Sequence, residues 1–508
     1  MPTASALHLH ADDDVLIALR QLMPGETVGP GVNVRDPIPP GHKLAVRMLA
    51  KGSPVRRYGQ IIGAALADIE AGRHVHAHNL GMGEMGEFAR EAGAWVPPPA
   101  ATVDPATPRA TFLGYRRGNG KVGTRNYLAV IPTVNCSATV ARAIADHFSS
   151  ERLAAWPGID GVLALPHALG CGLDTAGEGM QLLRRTLVGY ARHPNFIGVL
   201  FVGLGCEQNQ VAPLVELVGA HAPGMLRHLT MQGEGGTRAA IARGIAEVRE
   251  MLAAAGPCRR EPVSAEHLIV GLNCGGSDGY SGITANPALG AASDLLVAQG
   301  ATTVLSETPE IYGAEHLLTR RAASPEIAAR LMERIDWWRD YTRRNGGEMD
   351  NNPSVGNKAG GLTTILEKSL GAVAKGGTSP LAAVYRYAEA IEARGFVFMD
   401  TPGYDPVSVT GQAAGGAQIV CFTTGRGSAF GCAGVPTLKL ASNSALFERM
   451  RDDMDVNCGD VLDGTPLAEV GQRIFDAILR HASGEPVRSE ALGYGQHEFL
   501  PWQVGAVM

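Results

Sequence analysis

The sequence predicts an α/β protein: a small β-rich N-terminal unit, then a two-part α/β body with mainly parallel sheets. Three observations carry that prediction. Four segments share one plan, an apolar run, a loop with a cysteine just past its end, then an amphipathic stretch: "YLAVIPTVNCSATVARAIADHF", "GVLALPHALGCGLDTAGEGMQLLRRTLVGYA", "FIGVLFVGLGCEQNQVAPLVELVGA" and "HLIVGLNCGGSDGYSGITANPALGAASDLLVAQG". Alternating β and α elements build a parallel sheet covered on both faces. The first 95 residues lack that plan and alternate short β-like runs with Gly and Pro turns. Between the two textures, "WVPPPAATVDPATPRATF" holds five prolines and reads as an extended linker.

In chain order, residues 1–95 form the β-rich unit and 96–110 the linker. Residues 111–258 and 259–508 form the two parts of the body. Within the first unit, "DDDVLIALRQLMPGETV" reads as a short helix, a Pro-Gly turn and a strand. Late in the chain, "DNNPSVGNKAGGLTTILEKSLGAVAKGG" reads as a loop and then a helix. "AQIVCFTTGRGSAFGCAGVPTLKLASN" reads as a strand, a Gly-Arg-Gly loop and a second apolar run.

Composition narrows the function classes. A chain of 508 residues is too long for one ordinary core. Its 65 glycines, with no collagen-like period, mark many tight turns and close backbone approaches. A net charge of −6 gives no electrostatic reason to bind nucleic acid. The N-terminus has no basic n-region, and no apolar run approaches the ~20 residues of a membrane span. Eight cysteines without a CxxC pair argue against a disulfide framework or zinc knuckle. A cytoplasmic protein with reduced thiols is expected, acting on a small molecule, and a homodimer by base rate.

In a parallel sheet the strand ends form one rim, where ligands bind. Cys136, Cys171, Cys206 and Cys274 all fall there, so four thiols are expected to converge; the bland alternative is four packing residues. "RHVHAHN" places His74, His76 and His78 at alternate positions, on one face of a strand, where two could share a metal. His167 precedes Cys171 by four residues and could act as acid or base, while Glu207 adjoins Cys206. Lys358 and Arg426 sit on Gly-rich loops suited to a carboxylate or phosphate. No P-loop or zincin helix is present. The residues by themselves suit a small anionic substrate and a borderline divalent metal.

"GYRRGNGKVGTRNYLAVIPTVNC", "GLGCEQNQ", "CGGSDGYSGITANP", "PSVGNKAGG", "EKSLG" and "FTTGRGS…VPTLKLASN" resemble the altronate/galactarate dehydratase family of sugar-acid hydro-lyases. The resemblance spans essentially the whole chain. It implies that residues 1–95 are a SAF domain of β-clip fold, and that the body dehydrates a sugar acid to a 2-keto-3-deoxy acid. It also implies Fe²⁺, with Mn²⁺ as a substitute. "HVHAHN" is similar to the altronate-type branch, which points to altronate; galactarate, other aldonates and sulfolactate stay open.

For that activity, the rim residues Cys171, Cys206 and Cys274 are expected to hold the metal, with His76 and His78 as competing ligands. His167, Glu207, Asp278 and Lys358 become catalytic candidates, with Lys358 or His167 removing the C2 proton. Arg426, Gly275, Gly276, Ser277, Asn286 and Asn357 are placed against the substrate. Two rival readings remain: an iron–sulfur cluster on three rim cysteines, and a sugar-acid binder without catalysis.

Overall fold

The computed structural model describes residues 4–83, 109–148, 153–219 and 224–507. The end of the expected β-rich unit (84–95) and nearly all of the expected linker (96–110) lie outside the described residues. The described N-terminal residues form small antiparallel sheets, the larger in the order Ala6–Leu7, Val15–Ala18, Lys43–Ala45, His74–Val75. The expected short helix is a strand instead. All four residues of Val15–Ala18 are buried, so apolar neighbours cover both faces, which a helix's single stripe would not allow. Asp13 and Asp14 fasten its start by accepting the backbone N–H groups of Gly59 and Arg56.

The second unit follows the expected plan. Its strands β1 (Tyr127–Pro132), β2 (Gly161–Ala164), β3 (Phe196–Gly203) and β4 (Met225–Thr230) are all parallel, in the order β2-β1-β3-β4. Helices α1 (Ala138–Asp146), α2 (Glu178–Ala191), α3 (Val211–Val218) and α4 (Thr237–Ala255) alternate with them. The strand Thr111–Arg116, before this sheet, pairs antiparallel with Glu261–Ser264 after it. The chain therefore enters and leaves the unit side by side.

The third unit holds a seven-stranded parallel sheet. Its strands are β5 (Ile269–Cys274), β6 (Thr302–Leu305), β7 (Leu381–Tyr385), β8 (Gly395–Met399), β9 (Ile419–Thr424), β10 (Thr437–Ala441) and β11 (Val456–Asn457). They lie in the order β7-β8-β6-β5-β9-β10-β11. The chain starts at β5, winds one way through β6, then returns to the other side at β9. The crevice between the carboxyl ends of β5 and β9 is thus the switch point where doubly wound sheets bind ligands.

Apolar burial and one ionic cluster join the units. One hydrophobic core runs from Val55 and Ile62 of the N-terminal unit to Leu272 and Leu370 of the third. Another joins Phe201 and Tyr190 of the second unit to Val409 and Phe422 of the third. At the first junction, Lys43 and Arg57 reach across to Glu367, at 2.8 and 2.5 Å, all three side chains fully buried. Burial by itself would raise the Glu367 carboxyl; the Lys43 ammonium and Arg57 guanidinium reverse that and hold it at about 2.

Candidate active site

At the switch point the N-terminal unit roofs the sheet edge and leaves a cavity of about 740 Å³. Arg20 and His42 line it from the N-terminal unit, and Asp278, Arg426, Asn443 and Arg449 from the strand ends beneath. Arg20 is paired with Glu26, so Arg426 and Arg449 are the lining guanidinium groups that favour an anionic occupant, and the volume suits a small molecule.

Asp278 is the buried carboxylate of this cavity. Its Oδ1 accepts the amides of Tyr280 and Ser281 and the hydroxyls of Ser281 and Ser442. Its Oδ2 takes a single bond, from Asn443 Nδ2 at 3.0 Å. Oδ2 therefore keeps accepting capacity on a side chain fixed by five bonds. Burial raises its pKa, opposed by the bonds from Ser442, Ser281 and Asn443. A fixed carboxyl with a raised pKa and a free lone pair has the attributes of a general base.

Asp278 is placed by its loop, "CGGSD". Gly276 takes φ +64, and its carbonyl accepts the amides of Gly425 and Arg426, so the β5 and β9 loops lock together. Gly275 does not offer its N–H to a ligand, as the sequence suggested: that group donates to the Thr423 carbonyl. Its lack of a side chain makes room for Asp405, whose Oδ2 would lie 2.3 Å from an added Cβ.

The roof carries a histidine cluster. His74 and His76 stack with ring centroids 5.3 Å apart, His78 lies 5.6 Å from His74, and His42 lies 5.1 Å from His74. The strand ends at Val75 and turns, so the three alternate histidines do not share a strand face; packing against His42 groups them instead. His42 Nδ1 and His74 Nε2 are 3.0 Å apart. His42 Nε2 and His76 Nε2 face the carbonyls of Ala359 and Lys358, which makes both donors and leaves each Nδ1 a lone pair. Burial lowers His42 to about 4 and His74 to about 3, so both are neutral at pH 7. Neutral imidazoles with the far N–H on a carbonyl are the usual state of metal-ligating histidines. At 3.0 Å the His42 Nδ1 lone pair meets His74 Nε2, and the three rings would have to draw closer together to put one donor each round a single ion.

Beneath the cavity, Cys274 sits in a second, fully buried cluster. Its Sγ lies 2.8 Å from Lys375 Nζ, 3.2 Å from Glu310 and 3.4 Å from Glu307. Lys375 also binds Glu307, and Lys368 binds Glu310. Cys274, Glu307 and Glu310 are the one donor group within metal-binding spacing among the described residues. Two ammonium groups already balance the two carboxylates, however, and Lys375 stands where a cation would. One oxygen of the set, Glu307 Oε1, is buried without a hydrogen-bond partner. Asp405 closes it, its carboxyl pushed up to about 8 by burial, then by Glu307 and Glu310.

The remaining sequence-derived candidates divide. The four cysteines do not converge: Cys136, Cys171 and Cys206 are exposed on the second unit's rim, while Cys274 is buried in the third unit. His167 is fully buried against Phe499, and its ring nitrogens meet the Pro132 carbonyl and the Leu169 amide. It is thus a structural histidine that fixes the β2 loop. Glu207 is likewise engaged, by Thr133 and the Gly205 amide. Asn357 caps its own helix and holds the Ser277 carbonyl; Asn286 ties Gly371 to Thr423. Both position the walls. Lys358 contributes its carbonyl to His76, and its side chain is absent from the cavity lining.

Sequence reasoning missed His42, Asn443, Arg449, Glu307 and Glu310. His42 stands alone in "PPGHKLA", where no spacing marks it. Glu307 and Glu310 carried a readable signal, since they follow an apolar strand at the offset that drew attention to the cysteines.

Three family descriptions match consecutive parts of the chain. The altronate/galactarate dehydratase SAF domain matches residues 4–83, the D-galactarate dehydratase/altronate hydrolase second domain 114–256, and the D-galactarate/altronate dehydratase C-terminal domain 265–507. An altronate dehydratase of Bacillus subtilis (strain 168) is 37% identical over 493 residues, 96% of each chain. One from Escherichia coli (strain K12) is 38% identical over 95% of this chain and 96% of its own. The galactarate dehydratase (L-threo-forming) of the same organism is 35% identical, over 95% and 94%.

Proposed function

The chain belongs to the galactarate/altronate dehydratase family of sugar-acid hydro-lyases, and from that premise we propose that it dehydrates D-altronate at the cavity between the SAF domain and the seven-stranded sheet, with Fe²⁺ as cofactor. One observation carries the reading. One cavity is lined both by Asp278, a fixed, buried carboxylate whose Oδ2 accepts a single hydrogen bond, and by the guanidinium groups of Arg426 and Arg449.

Arg426 and Arg449 bind the substrate carboxylate, which orients C2 over the floor. Asp278 Oδ2 accepts the C2 proton, and its hydrogen bonds keep the carboxyl from turning away. The electron pair released at C2 forms the C2–C3 double bond as the C3 hydroxyl departs, and the enol tautomerises to the 2-keto-3-deoxy acid. His42, His74 and His76 would hold Fe²⁺ or Mn²⁺, which supplies positive charge for the enediolate oxygens and the departing hydroxide. The SAF roof, anchored by Lys43 and Arg57 on Glu367, limits water around the developing charge.

The two dehydratases of that name, matched over nearly their full lengths, and the "HVHAHN" segment support altronate as substrate. The test is release of 2-keto acid from altronate, galactarate and sulfolactate, with and without Fe²⁺, after removal of metal by a chelator. Altronate turnover restored by Fe²⁺ is the expected result. Full turnover by metal-free protein would remove the cofactor assignment, and preference for galactarate or sulfolactate the substrate assignment.

A further inference from the structure

We infer that Cys136, Cys171 and Cys206 hold an iron–sulfur cluster on the second unit, at a site separate from the histidine cluster. The three residues follow β1, β2 and β3, which are neighbours in the order β2-β1-β3-β4. The chain leaves β1 for β2 on one side and then crosses to β3 on the other. The carboxyl ends of β1 and β3 are therefore this sheet's switch point, the place where such a sheet takes a ligand.

The residues next to each cysteine bind the three loops together. Asn135 donates its amide to Leu169 at 3.0 Å and its side chain to His167 at 3.2 Å. Asn209 donates its amide to Gly170 at 3.1 Å and its side chain to Thr133 at 3.0 Å. Gly170, at φ +109, passes so close to β1 that an added Cβ would stand 2.3 Å from the Thr133 carbonyl. Thr133 in turn binds Glu207, beside Cys206, at 2.7 Å. The backbone that carries the thiols is thereby held in place before any ligand arrives.

All three thiols face solvent, whereas Cys274, Cys421, Cys432 and Cys458 are buried. Free cysteine is among the most buried residue types, so three exposed at one rim call for a role other than packing. Gln232 donates to Cys206 Sγ at 3.3 Å, the kind of bond that tunes cluster thiolates. Three thiolates on a four-iron cluster leave one iron free for a water or oxygen ligand.

The test uses the full chain, purified without oxygen and reconstituted with Fe²⁺ and sulfide. The expected result is about four iron and four acid-labile sulfide per chain, with absorbance at about 400 nm. Cys136→Ser, Cys171→Ser and Cys206→Ser should each lower that absorbance at least tenfold, while Cys258→Ser leaves it unchanged. Because the three side chains are exposed, their thermal midpoints should match the parent's, which separates cluster loss from misfolding. Iron bound without sulfide, or unchanged absorbance in Cys171→Ser, would overturn the inference. Iron at the histidine site brings no sulfide, so the two assignments stand or fall separately.

Discussion

Gly425 passes so close to Asp278 that a Cβ added to it would stand 2.1 Å from the carboxyl carbon. Asp278 can give way only by breaking the bonds from Tyr280, Ser281, Ser442 and Asn443 that hold it. Gly425→Ala should therefore fold but displace the carboxylate. A fall in kcat of about 100-fold, with the far-UV spectrum unchanged, is expected from such a misplacement. Parent-like kcat in this variant would show that Asp278 does not act on the substrate.

Asp278→Asn tests the proton acceptor directly. The amide fills the same space but cannot take the C2 proton, so kcat should fall about 10³-fold. Exchange of the C2 hydrogen with deuterium oxide should disappear with it. Persistent exchange would assign the base elsewhere.

Arg426 is expected to bind rather than react. Arg426→Ala should raise KM for altronate about 30-fold with a smaller effect on kcat, since a charge-assisted bond contributes ~2 kcal/mol. Arg426→Lys should recover only part of it, because a single ammonium lacks the guanidinium's paired donors. Steady-state kinetics decide the point.

The roof should be sensitive to acid. Glu367 is held at about 2 in the folded chain, below its ordinary 4.5, so the unfolded state binds the proton more readily. The stabilisation it provides is complete above about pH 4.5 and is lost as pH falls toward 2. Glu367→Gln should remove this part of the pH dependence. It should also cost about 3–5 kcal/mol, because Lys43 and Arg57 are left buried without a counter-charge. Denaturant unfolding from pH 2 to 7 measures both effects.

Metal retention tests the histidine cluster. His42→Ala and His76→Ala should each lower bound iron in chelator-challenged protein at least tenfold, whereas Cys274→Ser should leave it unchanged. Iron analysis distinguishes the histidine cluster from the buried thiol. Loss of iron in Cys274→Ser alone would reverse the assignment.

The α/β body was readable because periodicity and strand-end loops are local properties. Each apolar run of β1, β3, β5 and β9 is fully or almost fully buried, as a two-sided parallel sheet requires. The N-terminal strand Val15–Ala18 was misread because four consecutive apolar residues fit a helix or a doubly covered strand equally well. Asp278 and Arg426 could be found because Gly-rich strand ends mark close approach. His42 could not, because its partners lie on other strands and on helix Val355–Ala359.

By itself the sequence determined that thiols, carboxylates and cations would gather at the carboxyl edges of parallel strands. Only the tertiary structure decided that there are two such edges. It put Cys136, Cys171 and Cys206 on one, and Asp278 and Arg426 on the other beneath the histidines. The physical reason is that strand order and domain docking arise from burying apolar surface between segments far apart in the chain. No local spacing records which strand ends that burial will make neighbours.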